Sequence, residues 1–151
     1  MVTSSGCFLE TLDESLACPY ALPVAKILVV DDETSMTEIL RECLAGAGYD
    51  VVVCHDPMTA ERVALDENPD LALIDYQMPR KTGVQLLADL RAQAETRELP
   101  VLFLSGTEAV RFAGQVPPEP RVRFLSKPVD MVVLVTAVRE MLDPNSWSSP
   151  L

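Results

Sequence analysis

Short apolar runs alternate with longer segments of helical period between Lys26 and about Leu142. Five runs have the length and the β-branched composition of strands, and the first four are almost continuously apolar, as strands buried on both faces must be. The predicted strands are Lys26–Asp31, Asp50–Cys54, Leu71–Asp75, Val101–Ser105 and Val122–Leu125. This alternation predicts a three-layer, doubly wound α/β fold, in which helices cover both faces of a parallel sheet.

The segments between the strands carry apolar residues at helical spacing. The core-facing stripe predicted for the first helix consists of Met36, Ile39, Leu40, Cys43 and Leu44. Pro57 is predicted to lie in the first turn of a second helix, which stops at Asn68. A third helix is marked by Val84, Leu87 and Leu90. Each of these helices is expected to pack one side against the sheet.

Two further helices are predicted in the last third of the chain. The fourth, Glu108–Ala113, is short because it runs into the proline-rich stretch Pro117–Pro120. The fifth, Pro128–Leu142, carries more apolar residues than one buried face needs.

On the fifth helix, three small apolar residues fall opposite the main apolar stripe at about 100° per residue. They are Val132, Val133 and Ala137. Scattered aliphatic residues are ordinary on a protein surface. The alternative is a surface for a partner protein or for a second copy of the chain.

The length of 151 residues fits one domain with a short extension at each end. We predict an N-terminal extension over residues 1–25, a domain over residues 26–142 and a tail over residues 143–151, with both ends mobile. With 48% apolar and 23% charged residues, the composition is that of a globular protein and excludes wholesale disorder.

Charge and cysteine content limit which ligands and partners the chain is expected to bind. The net charge of −11 disfavours direct binding to nucleic acid or to an anionic membrane. The four cysteines form no C-x-x-C pair, so neither a zinc site nor a redox motif is predicted. No signal peptide and no apolar run of about 20 residues is found. We therefore expect a cytoplasmic protein with reduced thiols.

Polar side chains stand at the carboxyl ends of four predicted strands. Asp31 and Asp32 follow the first strand, Asp75 ends the third, Ser105 ends the fourth and Lys127 follows the fifth. Because the carboxyl ends of parallel strands lie at one edge of a sheet, where ligands bind, these side chains are expected to converge.

Three carboxylates in one cleft repel each other, by about 4 kcal/mol for two charges about 4 Å apart at an effective dielectric constant of about 20. Hard oxygen ligands without histidine or cysteine favour Mg²⁺ as the cation that offsets this repulsion. Lys127 adds a positive charge, and the hydroxyl of Ser105 can donate to an anionic oxygen. The cluster therefore has the chemistry to hold a phosphoryl group on a carboxylate.

These residues resemble the receiver domain of two-component response regulators, over about residues 26–142. The likeness lies in the acidic pair Asp31–Asp32, the segment Asp75-Tyr76-Gln77-Met78-Pro79 with Gly83, then Ser105, then Lys127-Pro128. It implies a flavodoxin-like sheet with strand order 2-1-3-4-5.

By the same resemblance, Asp75 is the phosphoacceptor, and its donor is a phosphohistidine on a histidine kinase or histidine phosphotransfer protein. Mg²⁺ is then held by Asp32, Asp75 and the backbone carbonyl of Gln77, with Asp31 acting through water. Lys127 grips a phosphoryl oxygen, and the Lys127–Pro128 peptide bond is expected to be cis.

The resemblance also implies a switch. Ser105 is drawn to the phosphoryl group, and the ring of Phe124 turns into the space it leaves. A downstream protein would then bind the face formed by the fourth helix, the fifth strand and the fifth helix, to which Val132, Val133 and Ala137 belong. The proline-rich stretch sets the fourth helix apart from the family pattern.

Three functions follow from these residues. The preferred one is a stand-alone, chemotaxis-type response regulator that accepts a phosphoryl group and hydrolyses it from itself, without being an enzyme for other substrates. A phosphatase of the haloacid dehalogenase type would need a general acid two residues after Asp75, where this chain has Gln77. A phosphorylation-independent adaptor would not need the complete set of acidic residues, Ser105 and Lys127.

Overall fold

Five parallel strands form the centre of the protein in a computed structural model that describes residues 24–106 and 121–143. The strands are β1 (Lys26–Val30), β2 (Asp50–Cys54), β3 (Leu71–Asp75), β4 (Val101–Ser105) and β5 (Val122–Ser126). They are hydrogen-bonded in the order β2-β1-β3-β4-β5, which confirms the predicted flavodoxin-like order 2-1-3-4-5.

The register brings the ends of the strands to one level. Val30 pairs with Ile74, Asp75 pairs with Leu104, and Ser105 pairs with Ser126. Because all five strands are parallel, their carboxyl ends share one edge of the sheet, and the chain segments that follow them meet there.

Four helices are described, and they cover the two faces of the sheet in pairs. They are α1 (Thr34–Gly46), α2 (Ala60–Glu67), α3 (Gly83–Ala92) and α4 (Met131–Leu142). Buried residues of α1 and α4 pack in one core with β1, β3 and β4, and those of α2 and α3 pack in a second core on the opposite face. The structure is thus the predicted three-layer fold, and α4 is the predicted fifth helix.

Capping hydrogen bonds fix where two helices begin. Thr82 and Gln85 form a capping box at the start of α3. At the start of α4, Asp130 accepts hydrogen bonds from the backbone N–H groups of Val132 and Val133, so this helix begins after Asp130 and not at Pro128. The second helix begins at Ala60, so the prediction that Pro57 lies in its first turn is wrong.

The late start of α2 has a local cause in the residues before it. Asp56 accepts hydrogen bonds from Met58 N–H through its side chain and from Thr59 N–H through its backbone carbonyl. These bonds hold residues 56–59 in a turn, which competes with a helical start at Pro57.

Two apolar residues differ in burial from what was predicted for them. Ile39 was predicted to face the core but is 50% exposed, whereas the polar residue Thr37 of the same helix is buried. Ala137 is only 8% exposed and belongs to the core. In α4 it is one turn from Met141, about 40° away around the helix axis, which places it at the edge of the buried face. Of the predicted outer patch, only Val132 and Val133 are exposed.

Some predictions lie outside the described residues. They are the fourth helix Glu108–Ala113, the proline-rich stretch Pro117–Pro120, nearly all of the N-terminal extension and the tail beyond residue 143. Among the helices that the structure describes, none has the length and apolarity to span a bilayer.

Candidate functional site

Three carboxylates meet at the carboxyl edge of the sheet. Asp31 follows β1 and is 1% exposed, Asp32 beside it is exposed, and Asp75 ends β3 and is 8% exposed. One oxygen from each of the three lies within 4.8 Å of the others. The structure therefore brings together the three acidic residues that the sequence placed there.

Asp31 has the most restrictive surroundings of the three. Its Oδ1 accepts a hydrogen bond of 2.9 Å from the backbone N–H of Glu33, whereas its Oδ2 is buried and has no hydrogen-bond partner among the described residues. Burial raises the pKa of the Asp31 carboxyl from 3.8 to about 6, and the charges of Asp75 and Asp32 act in the same direction. The Glu33 N–H and Lys127 oppose the shift.

Lys127 is the cation of the site. Its Nζ lies 3.3 Å from Asp75 Oδ1, which also accepts a hydrogen bond of 3.3 Å from the backbone N–H of Gln77. The backbone N–H of Lys127 donates to the carbonyl oxygen of Ser105 at 2.7 Å, and the Lys127–Pro128 peptide bond is cis, as the resemblance implied. The side chain of Lys127 thus contacts β3, while its backbone N–H is bonded to β4.

Ser105 ends β4 and is 1% exposed. Its Oγ is buried and makes no hydrogen bond to any described residue. A buried hydroxyl without a partner costs free energy unless something else bonds to it. Together with Asp31 Oδ2, it gives the site two polar atoms that can bond to an additional group.

The donor set fits a divalent cation with oxygen ligands. The cluster contains carboxylates and no histidine or cysteine, and one buried carboxylate oxygen has no partner among the residues described. Mg²⁺ is bound in proteins through one or two carboxylates and keeps several waters. Asp31, Asp32 and Asp75 therefore have the chemistry to hold it, and the carbonyl of Gln77 stays a predicted ligand.

Phe124 lies in β5 and is half-buried. Its ring centroid is 5.1 Å from that of Phe103 and 5.7 Å from that of Tyr76. Next to it, a groove of about 320 Å³ runs between β5 and α4. Val132, at 75% exposure, and Val133, at 49%, line this groove together with Phe124.

Three features around the site were not predicted from the sequence. The rings of Tyr76 and Phe103 pack edge to face, with centroids 5.5 Å apart. Arg80 bonds to Asp56 at 2.7 Å and so joins the loops after β3 and β2. Gly83, which belongs to the motif that carries the resemblance, begins α3 at a point where a Cβ would clash with the Phe103 ring, and this close contact was not predicted.

The family model of the response regulator receiver domain matches residues 27–139. Among curated proteins, the transcriptional regulatory protein CpxR of Klebsiella pneumoniae is 36% identical over 126 residues, which cover 82% of this chain and 51% of CpxR. The chain thus spans about half the length of such curated relatives.

Solved structures show the same fold. The chemotaxis response regulator CheY4 of Vibrio cholerae is 27% identical, with a TM-score of 0.69, over 79% of this chain and 99% of that one. The receiver domain of the sensor histidine kinase PA1611 of Pseudomonas aeruginosa, solved with a magnesium ion coordinated in its active site cleft, has a TM-score of 0.71 at 23% identity and covers 80% of this chain and 98% of that one.

The family model covers most of the chain, and the order of the strands and the converging acidic residues agree with it. The chain therefore belongs to the response regulator receiver domains of two-component signalling.

Proposed function

We propose that the protein accepts a phosphoryl group on Asp75 from a phosphohistidine of a histidine kinase or histidine phosphotransfer protein. The observation that carries this proposal is the pairing of Asp75 with Lys127 at 3.3 Å, beside two buried polar atoms that lack a partner among the described residues. A carboxylate at the end of a strand, next to a cation and a free hydroxyl, can act as a nucleophile towards phosphorus.

The transfer is a displacement at phosphorus. An oxygen of Asp75 forms the new P–O bond, the P–N bond breaks, and the imidazole leaves with the electron pair and takes up a proton. Lys127 neutralises one phosphoryl oxygen and the Ser105 hydroxyl donates to another. A divalent cation, when bound, supplies further positive charge to the oxygens of the phosphoryl group.

We propose Mg²⁺ as this cation, held by Asp32, Asp75 and the carbonyl of Gln77, with Asp31 acting through water. The support is the spacing of the three carboxylates and the unpartnered Asp31 Oδ2. Hydrolysis of the aspartyl phosphate by water would return Asp75 to its free form, so the protein acts on its own phosphoryl group and not on other phosphate esters.

The output that we propose is a change at Phe124 and the groove beside it, read by a downstream protein or a second copy. A stand-alone organisation stays a prediction, because the chain spans about half the length of regulators such as CpxR but 99% of a chemotaxis protein. The same applies to the absence of a nucleic-acid partner, since CpxR is a transcriptional regulatory protein. The cytoplasmic location also stays a prediction.

Incubation with acetyl phosphate and Mg²⁺, followed by intact mass measurement, tests the phosphoacceptor. We expect one added phosphoryl group in the wild type and none in Asp75→Asn or when the divalent cation is chelated. Asp50→Asn is the matched control, because Asp50 is an exposed aspartate at the start of β2, on the opposite edge of the sheet.

Three results would contradict the proposal or redirect it. Modification that persists in Asp75→Asn places the acceptor elsewhere. An unmodified wild type that still binds a partner supports the adaptor function. Rapid turnover of several phosphate esters supports the phosphatase.

A further inference from the structure

We propose that Tyr76 is a positioning residue, which together with Phe103 sets where the ring of Phe124 lies and so couples Asp75 to β5. The inference rests on the proposed function, because it concerns the response to a phosphoryl group on Asp75. Tyr76 directly follows Asp75 in the chain, and no role was predicted for it from the sequence.

Tyr76 and Phe103 form a fixed wall. They are 7% and 0% exposed, and their rings meet edge to face at 87°. The backbone N–H of Tyr76 donates to the carbonyl oxygen of Leu104 at 2.8 Å, and its carbonyl oxygen accepts from Gly83 N–H at 2.9 Å. A Cβ on Gly83 would come within 2.8 Å of Phe103 Cε1, so α3 leaves the Phe103 ring little room to move on that side.

Phe124 is the ring of the three with freedom to move. It is half-buried in β5, the last strand in the order of the sheet, and it is tilted by 33° to Phe103 and by 57° to Tyr76. Aromatic rings with centroids about 4.5–7 Å apart attract each other. One side of the Phe124 ring therefore contacts the fixed wall on the face of the sheet that α2 and α3 cover. The next residue, Leu125, packs on the opposite face with α4.

Backbone pairing links β5 to the site. The carbonyl oxygen of Ser105 accepts from Lys127 N–H, and Ser105 pairs with Ser126, two residues after Phe124. A phosphoryl group that draws Ser105 and Lys127 towards Asp75 shifts the end of β5 against β3. The Phe124 ring then moves across Tyr76, and the contact between the two rings decides where it comes to rest.

The test follows Phe124 and the phosphoryl group in the same samples. The protein is labelled with 4-fluorophenylalanine, and the ¹⁹F resonance of Phe124 is assigned with Phe124→Leu. Spectra are recorded before and after treatment with acetyl phosphate and Mg²⁺, and intact mass gives the phosphoryl occupancy. The variants are Tyr76→Leu, which removes the ring, and Tyr76→Phe, which keeps a ring and adds its own ¹⁹F resonance, recognised because the other samples lack it.

We expect all three proteins to gain the phosphoryl group. The Phe124 resonance should move equally in the wild type and in Tyr76→Phe, and by less than half as much in Tyr76→Leu. A merely structural role would not separate the two variants in this way. If Tyr76→Leu does not fold, Tyr76→Met provides the same comparison.

A full response of the Phe124 resonance in phosphorylated Tyr76→Leu or Tyr76→Met would overturn the inference and leave the proposed function intact. A loss of the response in phosphorylated Tyr76→Phe would also overturn it, because the ring is still present there. A wild type without added phosphoryl mass would instead contradict the proposed function, and the inference with it.

Discussion

Two buried hydroxyl groups show how differently single residues are used in this protein. Thr96 is 3% exposed, and its Oγ1 donates to the carbonyl oxygen of Leu90 at 2.5 Å. Ser105 is as deeply buried, yet its hydroxyl has no partner in the part of the chain that the structure describes. The first hydroxyl stabilises the fold, whereas the second is available to the site.

Replacing each hydroxyl in turn should separate these two uses. We expect Thr96→Val to lower the free energy of unfolding by about 1 kcal/mol, because a hydrogen bond is lost. Ser105→Ala should change it by less than about 0.5 kcal/mol or raise it, since no bond is broken. Urea unfolding of both variants measures the difference. A larger loss in Ser105→Ala than in Thr96→Val would mean that the serine hydroxyl is bonded in solution.

The raised pKa of Asp31 predicts a pH dependence of stability without divalent cations. The folded protein holds this proton with a pKa of about 6, compared with 3.8 when the group is not buried. The folded state therefore binds the proton more tightly, and this contribution to stability is complete below about pH 4 and lost as the pH rises through about 6. Between about pH 5 and about pH 7, the wild type should lose more thermal stability than Asp31→Asn.

Mg²⁺ should reverse this loss. Because a protonated carboxyl is a poor ligand, we expect added Mg²⁺ to raise the melting temperature of the wild type by more at about pH 7 than at about pH 5. Thermal unfolding with and without the ion measures both effects. Equal pH dependence in the wild type and Asp31→Asn would show that Asp31 does not titrate in this range.

The polar residues of the site were predictable, but their individual surroundings were not. Asp31, Asp32, Asp75, Ser105 and Lys127 could be found because each ends or follows a predicted strand, and parallel strands end at one edge. The burial of Asp31 beside an exposed Asp32 depends on packing between β1 and its neighbours, which the order of residues does not encode locally.

At the scale of elements, the junction between β3 and α3 has the least spare room among the glycine positions that the structure describes. The backbone N–H of Gly83 bonds to the carbonyl oxygen of Tyr76, and a Cβ at Gly83 would lie 3.0 Å from both the Asp75 carbonyl oxygen and Tyr76 Cα. The first turn of α3 therefore lies directly against the residue that we propose as the phosphoacceptor.

An added methyl group at this junction should be costly. We expect Gly83→Ala to lower the free energy of unfolding by about 1–3 kcal/mol, because backbone atoms and a buried ring must shift. Gly46→Ala is the matched control, since a Cβ at Gly46, the last residue of α1, meets nothing within 4 Å. It should raise the free energy of unfolding by about 0.4–1 kcal/mol. Chemical denaturation measures the free energy of unfolding of both variants. An equal change in the two would mean that the junction has room for a methyl group.

The sequence predicted the strands more closely than the helices. Three of the five strands have their predicted bounds, because runs of buried apolar residues end sharply at polar ones. Helix starts depend on capping bonds such as those of Asp130. Which residues of a helix are buried depends on the neighbouring elements that cover it. Ile39 shows the second effect, since periodicity placed it in the buried stripe but it is 50% exposed. Ala137 was assigned to the wrong side, although the helical period puts it close to Met141.

For the whole molecule, charge opposes association while the outer valines favour it. The net charge of −11 makes two copies repel each other at low ionic strength. Salt screens this repulsion over a Debye length of about 10 Å at about 0.1 M. Contact between apolar residues such as Val132 and Val133 does not weaken in the same way.

Self-association of the phosphorylated protein should therefore increase with salt. We expect sedimentation velocity between about 0.05 and about 0.5 M NaCl to show a growing dimer fraction, which Val133→Asp abolishes. Val24→Asp is the control. Val24 is also exposed, at 64%, but it lies just before β1, at the amino edge of the sheet and away from α4. Both variants should unfold within about 0.5 kcal/mol of the wild type. A dimer that Val133→Asp leaves unchanged would place the contact elsewhere.

The turn between α1 and β2 lies far from the candidate site and is therefore a suitable place for an insertion. Gly48 adopts a φ of 100° in this turn, which lies at the amino edge of the sheet, away from Asp75 and Lys127. Exposed turns of this kind tolerate inserted sequence. A fluorescent protein inserted between Ala47 and Gly48 would therefore label the chain without touching the carboxylate that we propose as the phosphoacceptor.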